Sequence, residues 1–116
     1  MTARVVRWSD AAQRDLDDIV DCIAAQSVLN AERVLARLYK QAQRLEHFVE
    51  RGRRLPELGS RRRALRAHWR ELLVRPWRIV YAIENGSVKV LAVVDGRRDF
   101  QGWLSRRSVS DLSDAT

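Results

Sequence analysis

The sequence predicts an α+β single domain: an N-terminal strand, a helical hairpin, a three-strand antiparallel meander completing a mainly antiparallel four-stranded sheet, and a short C-terminal helix. Three observations carry that expectation. Apolar residues recur at helical spacing through two consecutive segments of the first half, short runs of strand formers crowd the second half, and Asn85-Gly86 sits between two of those runs. A length of 116 residues fits one domain, placed at 1–107, with the polar stretch 108–116 expected to be a flexible tail. A hydrophobic fraction of 46% beside 32% charged residues excludes a disordered chain and a disulfide scaffold.

The elements come in order along the chain. Ala3 to Trp8 is short and rich in β-branched and aromatic residues, and it stops at Ser9-Asp10, a helix-start signal. From there Ala12, Leu16, Ile19 and Ile23 recur at steps of four, three and four, with Asp15, Asp17, Asp18 and Asp21 between them, which makes an amphipathic helix. A second helix is expected from near Asn30 to about Val49, with Val34, Leu35, Leu38, Ala42, Leu45 and Phe48 on its buried stripe and a stop near Gly52. Residues 51–68 lose periodicity and gather Gly52, Pro56, Gly59 and many arginines, so they read as a loop. Three strands come next: Arg70 to Val74, Trp77 to Glu84 after an Arg75-Pro76 turn, and Ser87 to Val94 after Asn85-Gly86.

A two-residue loop at Asn85-Gly86 pairs Tyr81 with Val90, Ile83 with Val88 and Ile79 with Ala92, which places those side chains on one face, toward the helices. The opposite face then carries Arg78, Val80 and Ala82 against Val93, Leu91 and Lys89. That is more apolar than a water-facing sheet should be, so it calls for a cover. Either the C-terminal segment supplies it, where Phe100, Trp103 and Leu104 fall at helical spacing, or a second protein does.

Charge narrows the function classes. The formal net charge is +7, and of the 22 cationic side chains only Lys40 and Lys89 are not arginine. Arginine's flat, permanently charged fork suits phosphate or an acidic protein partner. The excess is concentrated in residues 51–78, where ten arginines face only Glu57 and Glu71. Cys22 is the single cysteine, and with only His47 and His68 beside it the soft ligands are too few for a zinc site; no metal and no cofactor are expected. No apolar run approaches the roughly 18 to 20 residues of a membrane span, and Met1 to Arg7 shows no apolar signal core, which together predict a cytoplasmic protein with no membrane partner.

Several short motifs occur in a telling order: Trp8-Ser9-Asp10-Ala11-Ala12 through Asp15-Leu16 and Ile19, then Gly52-Arg53 with Leu55-Pro56-Glu57-Leu58, then Arg70-Glu71-Leu72, Trp77-Arg78-Ile79-Val80-Tyr81 and Asp95-Gly96-Arg97-Arg98-Asp99. In this order and spacing the chain resembles the RelE/ParE family of toxins from type II toxin-antitoxin modules, closer to the ParE-like branch, and the likeness covers most of its length. The resemblance implies a growth inhibitor held inactive by a cognate antitoxin in a hetero-oligomer. It implies one of two targets: DNA gyrase, which ParE-like members bind and poison, or messenger RNA in the ribosome, which RelE-like members cut. Arg78 and Arg98 align with charge-stabilising arginines of the nucleases and would be catalytic only in that branch. The proton-handling tyrosine that many of those nucleases carry just downstream has no match in Phe100-Gln101-Gly102-Trp103-Leu104, which ranks gyrase inhibition, a binding activity, ahead of the mRNA endonuclease. For the target, Arg61, Arg62, Arg63, Arg66 and Arg97 are the expected contacts. For the antitoxin, they are Arg78, Val80, Leu91, Val93 and Trp103.

Each of these residues also has a plainer reading. Arg78 becomes a diagonal neighbour of Glu71 if the Arg75-Pro76 turn sets residue 73 opposite 78 and 71 opposite 80, and then it serves the sheet. Arg97 and Arg98, next to Asp99, equally suit a cap on the last strand and helix. Arg61-Arg62-Arg63 with Arg66 equally suits a solvated charge run. Trp69, Trp77 and Trp103 serve either as base-stacking platforms or as core. His68 stands in the charged loop as either a proton shuttle or a solvated side chain, and Cys22 reads as a small residue at the core edge.

Overall fold

The computed structural model describes residues 4–54, 69–84 and 86–97. Val5–Trp8 forms strand β1, and the chain turns at once into helix α1, Asp10–Ala24. Ser9 makes that turn possible. Its hydroxyl accepts the Ala12 backbone N–H at 3.0 Å, satisfying one of the helix's orphan donors, and donates to the Leu91 carbonyl at 3.3 Å. Its own backbone N–H donates to the Val90 carbonyl at 2.9 Å, so one buried serine closes a helix start onto a strand.

Helix α2 spans Val28–Gln43. It begins earlier than the apolar spacing alone indicates because Ser27 caps it, accepting the Asn30 N–H at 3.1 Å. It also ends earlier, in a 3₁₀ turn over Arg44–Glu46. Three residues per turn instead of 3.6 rotates the next side chains about the axis, so Leu45 stays in the core while Phe48, expected on the buried stripe, stands 59% exposed. Cys22, expected at the core edge, is exposed.

Four further strands complete the sheet: β2 over Arg53–Arg54, β3 over Trp69–Val74, β4 over Trp77–Glu84 and β5 over Ser87–Asp95. Their order is β1-β5-β4-β3-β2, with β1 parallel to β5 and the other neighbours antiparallel. The four longer strands make the expected α+β sheet, and β2 adds a two-residue edge that the loop reading of 51–68 did not contain. Leu73 stands opposite Arg78 and Glu71 opposite Val80, as the Arg75-Pro76 turn predicts; the peptide bond at that turn is cis. Glu84 pairs with Ser87 across the second turn, where Gly86 takes φ +81°, a left-handed conformation that glycine adopts without penalty.

One register expectation fails. Tyr81 pairs with Val90 and Ile83 with Val88, but an irregularity between Val80 and Tyr81 leaves Leu91 as the extra residue, so Val80 meets Ala92 and Ile79 meets Val93. The bulge exchanges two side chains between faces. Val93, placed by simple alternation on the face of Val80, belongs to the core under the helices with Leu16, Leu38, Ile79, Tyr81, Val88 and Val90. Ala92 moves the other way and joins Trp69, Val80, Ala82, Leu91 and Val94 in a second buried cluster. The second face is therefore buried, as its composition demands.

At the bulge, helix α1 takes over what β1 leaves undone. The ladder from β1 reaches only as far as Val90, and beyond it the Val93 N–H donates to Asp15 Oδ2 at 3.0 Å. Among the described residues no helix is long and apolar enough to cross a membrane. Residues 55–68 of the expected 51–68 loop, Asn85, the expected C-terminal helix and the tail at 108–116 lie outside the described residues. Replacing Ser9 with alanine removes the cap and leaves the buried Leu91 carbonyl short of a donor. We expect Ser9→Ala to lower stability by about 1–2 kcal/mol, read as a fall in the urea midpoint at constant slope.

Candidate functional site: the Glu71 centre and the segment it holds

Glu71 lies on β3 with its side chain on the face away from the helices, beside Val80, and it is 1% exposed. A carboxylate is stable there only if its charge is matched. Two arginines match it from opposite sides. Arg78, on β4 and itself buried, donates from Nε to Oε1, and Arg53, on β2, donates from Nε to Oε2 at 2.5 Å. The sheet geometry makes both contacts: Arg53 is the direct cross-strand partner of Glu71, and Arg78 is its diagonal one. Both carboxylate oxygens are thereby occupied by charge-assisted hydrogen bonds.

The same segment is held from the helix-side face. The Tyr81 hydroxyl donates to the Val49 carbonyl at 2.6 Å and accepts the Gly52 N–H at 2.9 Å. Arg70, the cross-strand neighbour of Tyr81, donates to the Gly52 carbonyl at 2.9 Å and lies 3.7 Å from Glu50. Gly52 fits because it has no side chain: a Cβ there would collide with the Glu71 carbonyl oxygen and stand 2.6 Å from the Tyr81 hydroxyl. Burial pushes the Tyr81 phenol above its ordinary 10.0, with the Gly52 N–H and the Arg70 charge working the other way.

The structure distributes the expected site residues unevenly. Arg78 is paired with Glu71, the plainer of its two readings. Val80 and Leu91 are buried together on the second face, whereas Val93 faces the helices. Arg97 is at the surface and pairs with Asp95, Nη2 to Oδ2 at 2.8 Å and Nε to Oδ1 at 3.0 Å, which raises its pKa further. Trp69 belongs to the second buried cluster, and Trp77 packs partly buried on the core under the helices. Lys89 stands opposite Ala82, buried, along the strand from Arg78. Arg61, Arg62, Arg63, Arg66, His68, Arg98 and Trp103 lie outside the described residues.

Sequence reasoning missed the parts played by Arg53, Gly52 and Tyr81. Gly52-Arg53 and Tyr81 were visible only as pieces of motifs. The readable signal was a glycine just before an arginine, upstream of an isolated acid in an otherwise basic segment. Tyr39, to which the sequence pattern gives no task, packs against Trp8 with ring centroids 5.0 Å apart and planes tilted by 60°, and donates to Gln13 at 3.1 Å.

This arrangement of hairpin on mixed sheet has a counterpart among solved structures. A solved chain described as the chromosomal ParDE toxin-antitoxin system from P. aeruginosa superposes with a TM-score of 0.65 over 80% of this chain and 96% of that one, at 19% identity. Toxin ParE3 of Caulobacter vibrioides is 31% identical over 68 residues, which cover 59% of this chain and 68% of the relative. The family described as ParE toxin of type II toxin-antitoxin system, parDE, matches residues 6–100. The chain belongs to that family: it is a ParE-type toxin, and a toxin of a ParDE system has an antitoxin for a partner.

Two predictions test the centre. Glu71→Ala removes the carboxylate to which buried Arg78 donates, and is expected to destabilise the fold by about 3–5 kcal/mol in chemical denaturation. Tyr81 is the pH probe. Its folded pKa is raised, so the folded state holds a proton that the unfolded state releases, and stability is full below pH 10.0 and falls as pH rises through the raised value. Tyr81→Phe should therefore lose about 1–3 kcal/mol at neutral pH and show a shallower decline above pH 10.0 than the parent chain.

Proposed function

We propose that this ParE-type toxin inhibits growth in the cytoplasm by binding and poisoning DNA gyrase, and that a cognate antitoxin neutralises it by covering its surface. The observation that carries the choice of target is the commitment of Arg78 to Glu71. RNA cleavage needs cations open to the phosphate and a proton acceptor within hydrogen-bond reach of the attacking hydroxyl. Arg78 is instead buried in an ion pair, both Glu71 oxygens are occupied, and Tyr81 is bonded to Val49 and Gly52 from the other face. Among the described residues, no open acid-base pair stands beside Arg78. Gyrase inhibition asks only for a rigid, charged docking surface, and of the proposed target contacts Arg97 is the described one, its side chain 76% exposed.

The test is supercoiling by purified gyrase. Addition of the folded toxin should abolish supercoiling, and its antitoxin should restore it. Full supercoiling in the presence of folded toxin, with cleavage of messenger RNA on added ribosomes, would replace this reading with the endonuclease one.

A further inference from the structure

Beside the start of β1, the end of α2 and the turn after it form a concavity of about 650 Å³ whose walls include Arg4, Arg44, Glu46, Phe48, Glu50 and Arg51. Its backbone is tied together. The Arg4 N–H donates to the Glu46 carbonyl at 2.8 Å, Phe48 N–H to the Arg44 carbonyl at 3.2 Å and Arg51 N–H to the Phe48 carbonyl at 3.0 Å. Phe48, turned out of the helical stripe by the 3₁₀ turn, offers an exposed aromatic surface there, with Val49 beside it.

Among the described residues its charges are not balanced. Glu46 accepts from Gln43 at 3.2 Å and lies 3.4 Å from His47, and Glu50 faces Arg70. Both acids are thus already engaged, whereas among the described residues Arg4, Arg44 and Arg51 have no ion pair. Three guanidinium groups around an exposed phenyl ring are complementary to carboxylates around an apolar side chain.

We propose that this concavity is a docking site for an acidic protein segment that carries an apolar anchor, the anchor packing on Phe48 and Val49 and its flanking carboxylates meeting Arg4, Arg44 and Arg51. A nucleic-acid strand fits less well. Its phosphates recur at every nucleotide and would have to pass Glu46 and Glu50, and one phenyl ring does not make the succession of stacking platforms that single-strand binders use. A peptide can set neutral residues against the two glutamates. The inference is independent of the gyrase reading, since it concerns a different surface from Arg97.

The test uses the full chain and a fluorescent synthetic peptide with glutamates flanking a central Leu-Phe pair, read by anisotropy. The peptide should bind, and binding should weaken about tenfold each with Phe48→Ala and with Arg44→Glu, both exposed positions whose variants should keep the parent's denaturation midpoint. A matched peptide with lysines for the glutamates should not bind. Absence of binding, equal binding by both folded variants, or tighter binding of an oligothymidylate than of the acidic peptide would each overturn the proposal.

Discussion

A negative charge inside a sheet face is the constraint around which this domain is arranged. Glu71 is almost wholly withdrawn from water, and desolvating a carboxylate is tolerable only with matched donors at both oxygens. One donor comes from the neighbouring long strand. The other comes from a strand of two residues whose reason for existing is hard to find elsewhere, since β2 is too short to contribute much ladder energy. Arg53 reaches Glu71 because Gly52 lets the chain lie against the β3 backbone, and Gly52 stays there because Tyr81 and Arg70 hold its N–H and carbonyl from the opposite face. The ion pair on one side of the sheet and the phenol on the other thus secure the same short stretch of chain.

A second dependency runs through β5. This strand is central, parallel to β1 on one side and antiparallel to β4 on the other, and nearly all of its residues are buried. The bulge at Leu91 lets one strand serve two cores, turning Val93 under the helices and Leu91 with Ala92 to the far face. A bulge breaks ladder pairing, and the adjacent orphan groups need other partners. They find them in the start of α1 and its cap: the Ser9 hydroxyl for the Leu91 carbonyl, and the Asp15 carboxylate for the Val93 N–H. Asp15 is one of several acids on a helix that reads simply as amphipathic, yet its carboxylate completes the sheet.

The fold was largely legible, and where it was not the reason is physical. Periodicity in α1 and α2 and the Asn85-Gly86 turn are local signals, strong enough to place the hairpin, the meander and even the diagonal meeting of Glu71 with Arg78. The bulge left no such mark, because Val90-Leu91-Ala92-Val93 is apolar throughout and alternation within it has no contrast to reveal a skipped step. The early end of α2 was equally silent: Phe48 continues the stripe in sequence and leaves it only through the 3₁₀ turn. Of the site, Arg78 was legible as a residue but with two roles open; what local signals could not show are the contacts of Arg53 with Glu71 and of Gly52 with Tyr81, which join residues 18 and 29 positions apart.

The distribution of arginine shows why composition alone points in the wrong direction for some of these residues. A strong bias toward arginine over lysine reads naturally as equipment for gripping an external anion. Several of the described arginines instead grip the protein itself: Arg78 and Arg53 hold Glu71, Arg70 holds the Gly52 carbonyl, and Arg37 donates to the Arg75 carbonyl at 2.5 Å. A lysine would serve none of these as well. Its ammonium is compact and strongly hydrated, so it is costly to bury beside Val80, and it lacks the Nε donor set back along the side chain from which both Arg53 and Arg78 reach Glu71. The internal arginines are therefore chosen for geometry and weak hydration, and the charge available to partners resides in the remainder. Part of that remainder is grouped: Arg4, Arg44 and Arg51 line a single concavity, and the segment that Arg53 opens carries the densest run of arginine in the chain.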